Sequence, residues 1–462
     1  MTIKESIKST MIKTAITYLD NNPEKNIPKL ISAVEKMDTN HNLSKQIKVF
    51  RSSFEDKSGN WYKLAESLYS DIDNSLRKRI FENIVINATV IGMERQKSIK
   101  KEYNCNAPWA ILLDPTTSCN LKCKGCWAAD YEKNIELPIS QWDSIICQGK
   151  ALGTFIYLYS GGEPLVRKNE IIRMCEEHNE CIFAAFTNAT LIDEKFADEI
   201  LKVKNFIPII SIEGFQEETD FRRGDGVYAA AAAAMDILKQ KKILFGVSCC
   251  YTQKNTEIIG SEGYIDDIIA KGAKFAWFFT YIPVGVHADP DLMVTEAQRE
   301  FMYHQLRKFR QTKPLFTIDF WNDGEYVQGC VAGGRSYLHI NANGDIEPCA
   351  FIHYSDANIK EKTLLEAYTA PLFMQYYNNQ PFNDNHLRPC PLLDNPERLC
   401  EMIRQSGAKS TDLLNPEDVV ALAQKCEKAA AMWSTPADRL WRERRATNPN
   451  HVEAQAKEKT SC

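Results

Sequence analysis

From Trp109 onward the chain repeats one pattern about six times: a short apolar, β-rich run, then ten to fifteen residues with amphipathic helical spacing. The runs predict strands over 110–116, 154–160, 182–187, 207–212, 244–251 and 275–282. The intervening stretches predict helices over 140–152, 168–178, 193–204, 228–242, 261–271 and 296–313, with Ser140 and Asp193 as N-caps and an alanine run at 229–234 favouring helix. Strands alternating with helices imply right-handed crossovers and a parallel sheet. Six units are too few to close an eight-fold barrel, so the expectation is an α/β fold built on a partial (β/α)6 barrel. The chemistry of such a fold sits in the loops after the strands.

The flanks differ. Over 12–19, 27–37, 61–68 and 76–93 apolar residues fall three and four apart, so the N-terminal region reads as helical, with no alternating strand. Its apolar faces could cover the active site or offer a groove to an acyl chain. After Pro314 the βα alternation stops. Residues 337–348 read as a β-hairpin turning at Asn343-Gly344, both of which tolerate positive φ. Beyond 364 the chain is helical with proline-rich breaks, and from Arg442 it is a charged tail in which Arg442–Arg445 reads as a solvated helix end. The resulting division is a helical N-terminal domain (1–104), the partial barrel (105–313), a C-terminal extension (314–435) and a charged C-terminal tail (436–462).

Composition narrows the function. In 462 residues, 56 Lys and Arg stand against 61 Asp and Glu, a net charge of −5, too balanced for a nucleic-acid binder acting through bulk charge. The longest apolar run, Phe275 to Val286, is broken by Thr280, Pro283 and Gly285 and falls short of the about 20 apolar residues of a transmembrane helix. The first residues carry charge and no apolar secretory core, so the expected location is cytoplasmic. Fifteen cysteines in such a chain should remain thiols. Cys147, Cys175, Cys181, Cys249 and Cys250 sit in apolar patterns and read as small core residues.

The remaining cysteines cluster. The first predicted strand leads into Cys119-x3-Cys123-x2-Cys126. Three thiolates this close converge on a metal or a cluster. Zinc would need a fourth ligand from elsewhere in the chain, since neither Cys nor His follows nearby. A cubane held by three cysteines leaves one iron open. On this motif the chain resembles the radical S-adenosylmethionine (SAM) superfamily. The resemblance implies that Cys119, Cys123 and Cys126 hold a [4Fe-4S] cluster with an open iron site that binds SAM. Reductive cleavage of SAM then gives a 5′-deoxyadenosyl radical that abstracts a substrate hydrogen. Gly125 stands where the family usually has an aromatic residue, and Trp127 follows instead.

Later strand ends carry the same resemblance. Gly161-Gly162-Glu163 matches the segment that binds the methionine amino group, and Asn188 lies in a TNG-like segment with Ala189 for glycine. Ser211-x-Glu213-Gly214 matches a ribose-contacting Ser-x-Asp-Gly, with Glu for Asp. Asp220-x-x-Arg223-Gly224 implies Arg223 as partner of the methionine carboxylate, with Arg222 the nearest competitor and Thr219 for the usual His. The segment 281–285 resembles one that contacts adenine, whereas Trp277, Phe278 and Phe279 read as core. Cys330-x13-Gly344-x4-Cys349 resembles the opening of the auxiliary-cluster extension called SPASM, or its shorter twitch version. The rest of the SPASM cysteine run is absent. The resemblance therefore implies one auxiliary [4Fe-4S] cluster on Cys330, Cys349 and Cys390, with Cys426, Cys400 or substrate as fourth ligand. Structural zinc is the competing reading, and His339 and His353 read as hairpin residues.

The expected function is that of a radical SAM enzyme acting on a small molecule or lipid, reduced by a flavodoxin or ferredoxin. A peptide maturase of the SPASM or twitch type is the alternative, and a non-enzymatic redox sensor leaves the segments at 161–163, 188, 211 and 223 unexplained.

Overall fold

The computed structural model describes residues 3–37, 44–129 and 131–447. Its centre is a nine-stranded sheet: β1 Ala110–Leu113, β2 Ile156–Tyr159, β3 Ile182–Thr187, β4 Phe206–Ser211, β5 Gly246–Tyr251, β6 Phe275–Thr280, β7 Phe316–Asp319, β8 Tyr337–Ile340 and β9 Ile346–Glu347. The order is β7-β6-β5-β4-β3-β2-β1-β8-β9. The first seven strands are parallel neighbours in sequence order, as successive right-handed crossovers require. The six expected strands form the middle of the sheet. It extends beyond them at both ends: β7 adds a parallel strand past residue 314, and β8 pairs parallel with β1, Ala110 opposite Tyr337. The expected hairpin is present as β8–β9, with Ile340 opposite Ile346. At its turn Gly344 takes φ +92° and Asn343 does not take positive φ.

The two faces of the sheet differ. Tyr157 points at the helix layer, its hydroxyl donating to the Ile146 carbonyl in the helix Ile139–Leu152. Residues on the same face (Ile111, Phe183, Val247, Ala276, Phe278) are fully buried. The opposite face carries Leu158, Phe186, Trp277, Phe279 and Phe320, all half-buried. That face is the barrel's interior, roofed only in part.

The N-terminal region is helical throughout its described residues and caps the barrel from below. Asn83 Nδ2 donates to the carbonyls of Asn179 and Cys181, and Gln96 Nε2 to that of Gly153. Asp73 N donates to Lys242 O, Lys274 pairs with Asp71, and Asn60 Nδ2 reaches Arg310 O and Lys313 O. Every one of these barrel residues precedes a strand. The region therefore packs on the amino ends of the strands, opposite the loops that carry the cysteines, and it does not roof the active site there. The last helix runs Val419–Thr447, so residues 436–447 of the expected tail are helical. The rest of that tail, 448–462, lies outside the described residues. No described helix is long and apolar enough to cross a membrane.

Candidate functional site

The chain leaves β1 at Leu113 and delivers Cys119, Cys123 and Cys126 in the loop above the strand. Cys119 is exposed and the other two are half-buried. The three thiols lie close enough that the charges of Cys123 and Cys126 help raise the pKa of Cys119, although burial is the larger cause, taking it to about 11. Cys123 is also raised by burial, and Arg223 and Arg222 beside it pull in the opposite direction. Gly125 sits in this loop at φ +64°. A Cβ there would come within 2.6 Å of the Tyr281 ring and 3.0 Å of Leu292. Tyr281, from the end of β6, thus occupies the space a side chain at 125 would need. Trp127 points elsewhere, edge-on to His339 at 5.5 Å, His353 at 5.9 Å and Phe351 at 6.1 Å.

The neighbouring strand ends are tied to this loop. A Cβ on Gly162 would lie 2.2 Å from the Ser118 carbonyl, so only glycine lets the 161–163 turn approach the cysteine loop. The Glu163 carboxylate is buried and accepts from Leu165 N, Thr187 Oγ1 and Asn188 N at 2.7–3.0 Å. Burial nonetheless raises its pKa. Asn188 Nδ2 donates to Asn120 Oδ1, and Asn120 Nδ2 to Thr190 Oγ1, both at 2.8 Å. Glu213 is fully buried and pairs with Arg222 (2.7 Å) and with Arg223 (2.9 Å to Nε), while accepting from Cys250 N. Burial would raise its pKa, but the two guanidiniums outweigh that and hold it below the usual carboxylate value. Ser211, buried, lies on the same inner face as Trp277.

Four of the downstream cysteines gather in a second place. Cys330, Cys349 and Cys390 pack into one apolar cluster with buried Cys426. Burial raises the first three to about 12, and each feels at least one of the others. Cys426 is raised by burial and then by Cys390. Cys400 meets no other cysteine among the charges acting on it; its thiol lies 3.6 Å from the Val419 carbonyl.

Residues 113–252 match the Radical SAM superfamily model. Those residues form a radical SAM domain. It is 22% identical over 357 residues to an AdoMet-dependent heme synthase of Oleidesulfovibrio alaskensis, covering 70% of this chain and 89% of the relative. It is 23% identical to a PqqA peptide cyclase of Granulibacter bethesdensis, over 58% of this chain and 76% of that one. Its fold is like that of Streptococcus suis SuiB bound to S-adenosylmethionine: TM-score 0.55, 19% identity, 72% of this chain and 81% of SuiB. The radical SAM domain makes the chain an enzyme and implies a [4Fe-4S] cluster with SAM.

The structure also places residues that the sequence alone misassigns or does not single out. Cys250 is half-buried on the inner face, beside Arg222 and within reach of the charge of Cys126, rather than in the core. Cys147 is exposed on its helix, 3.7 Å from Asp143. Only Phe278 of the trio 277–279 is core; Trp277 and Phe279 face inward. Asp114, His339 and Glu347 form a buried chain: His339 Nδ1 lies 2.6 Å from Glu347 and Nε2 3.0 Å from Asp114. The two carboxylates hold this imidazole protonated against the effect of burial, with its pKa at about 10. Nothing in the local sequence signals it, because its members are 225 and 8 residues from His339 in the chain.

Proposed function

We propose that this radical SAM enzyme carries two iron–sulfur sites. Between them it holds a small molecule with a flat, conjugated or aromatic part and removes a hydrogen atom from it. The observation that carries this reading is a continuous aromatic lining. Phe186 meets Trp277 at 5.2 Å, Phe279 stacks on Phe320 at 4.8 Å, and Phe279 reaches Phe351 at 6.4 Å. Phe351 meets Trp127, one residue beyond Cys126, and itself follows Cys349 by two. The lining therefore joins the first cysteine loop to the second site. Flat π-faces favour stacking on a planar substrate over packing against an acyl chain.

Cys119, Cys123 and Cys126 would ligate the first cluster. With SAM bound there, such a cluster would supply the electron for reductive cleavage to methionine and a hydrogen-abstracting 5′-deoxyadenosyl radical. This chain's residues supply position and exclusion of water. Gly161 and Gly162 would bring backbone to the methionine amino group, with the Glu163 carboxylate beside them tied to Leu165 N, Thr187 Oγ1 and Asn188 N. Arg223, half-buried and backed by Glu213, would offer its remaining donors to the carboxylate. Asn188 and Ser211 line the approach of the nucleoside. Cys330, Cys349, Cys390 and Cys426 would hold an auxiliary [4Fe-4S] cluster; the packing of all four in one cluster favours it. A flavodoxin or ferredoxin would deliver the electron.

A second reading, a maturase acting on a ribosomal peptide, is favoured by the likeness to a peptide cyclase and by the SuiB-like fold. The deciding experiment is anaerobic reconstitution with iron and sulfide, then dithionite and SAM, assaying 5′-deoxyadenosine with and without an iron porphyrin carrying propionates or a peptide encoded beside the gene. Stimulation by the porphyrin supports the first reading, and stimulation by the peptide alone replaces it with the second. Zinc in place of iron, with no deoxyadenosine, overturns both.

A further inference from the structure

Two tyrosines pack in the apolar cluster that holds the second group of cysteines, and their hydroxyls have no other work among the described residues. Tyr337, on β8, places its hydroxyl 2.8 Å from Cys349 Sγ. A cysteine bound to iron carries no proton, so in that pair the phenol must donate. Tyr376 lies in the helix Pro371–Asn379, and its fully buried hydroxyl has no hydrogen-bond partner. Burial raises its pKa, and the charges acting on it besides are those of Cys330, Cys349 and Cys390. A buried hydroxyl left without a partner is costly. The ring cannot turn away to find a partner. Gly333, at φ +64°, is so close that a Cβ there would lie 2.4 Å from the Tyr376 side chain, and Phe382 stands edge-on at 5.3 Å.

We infer that Tyr337 and Tyr376 are positioning residues that donate hydrogen bonds to the sulfur shell of an auxiliary [4Fe-4S] cluster and hold its reduction potential up. This rests on the reading that Cys330, Cys349 and Cys390 ligate such a cluster. Hydrogen bonds to cluster sulfur withdraw negative charge and favour the reduced state, which is the more negative one. Tyr337 also stands edge-on to Phe320 at 6.3 Å, so the same side chain touches the inner aromatic lining and the cluster ligand. The cluster would then be poised as an electron acceptor for a substrate radical held against that lining.

The test is an EPR-monitored redox titration of the full-length protein, reconstituted anaerobically with iron and sulfide. In Tyr337→Phe and Tyr376→Phe, with iron retained, the reduced-to-oxidised ratio of the auxiliary cluster at the wild-type midpoint should fall about tenfold, equal to about 59 mV for one electron. The first cluster should not move. Tyr368→Phe, which removes an equally buried hydroxyl beside Thr154, should move neither. Unchanged auxiliary midpoints in both variants at full iron overturn the inference. If a variant loses iron, replacing the tyrosines by 3-fluorotyrosine, a stronger donor of nearly the same size, decides: a raised auxiliary midpoint upholds the hydrogen bonds, and an unchanged one refutes them. A wild type with about four irons and one cluster signal would instead remove the auxiliary cluster itself.

Discussion

Gly125 and Tyr281 share one volume: the glycine's missing side chain is where the tyrosine ring lies, with 2.6 Å between the ring and a Cβ built on residue 125. The tyrosine is itself fixed, since Asp289 N donates to its hydroxyl at 3.2 Å. An aromatic ring against the cysteine loop is therefore supplied from β6 rather than from the loop.

Gly125→Ala should lower stability. It forces a left-handed backbone on a Cβ-bearing residue, at about 1 kcal/mol, and pushes on Tyr281. Adding Tyr281→Ala should recover part of the clash cost but none of the backbone cost. A double-mutant cycle by thermal denaturation checks this, and strict additivity would show that the two residues do not compete for space.

Cys123→Ala should abolish SAM cleavage. Cys349→Ala should retain cleavage and lose product. Cys426→Ala should drop iron from about eight to about four per chain, whereas Cys400→Ala should not, because Cys400 faces Val419 rather than the other thiols. Iron analysis and a deoxyadenosine assay separate these outcomes.

His339→Gln should destabilise the protein by about 3–5 kcal/mol, because two buried carboxylates lose their cation. The linkage has a definite sign. The folded pKa of about 10 lies above the unfolded histidine value of 6.5. The stabilisation is thus complete below about pH 6.5 and disappears as pH rises through about 10. Denaturant titrations across that window should show the wild type losing stability while the variant changes less.

Glu213→Gln should leave the half-buried Arg222 and Arg223 without their counter-charge and destabilise the protein, by less than the about 3–5 kcal/mol of a fully buried pair. Its lowered pKa makes the wild-type contribution present above about pH 4.5 and lost as pH falls through the folded value. Iron occupancy of the first site should fall with it, since Arg222 and Arg223 lie beside Cys123. Full iron retention in the variant would detach this ion cluster from the cysteine loop.

The sequence by itself determined the alternation of strands and helices, the cysteine loop after the first strand, the glycine turn at 161–162 and the superfamily. Each is local: periodicity, a C-x3-C-x2-C spacing, or a residue type that one backbone conformation demands. Tertiary structure decided the rest. It placed β8 of the C-terminal extension against β1, so that residues 225 apart form the Asp114–His339 pair. It turned Trp277 and Phe279 inward while burying Phe278, a choice made by which sheet face the helices cover. It set the N-terminal helices under the barrel rather than over its mouth, and it separated Cys426 from Cys400. The physical reason is common to all of these. Periodicity says that a face is apolar, but only packing selects what that face meets.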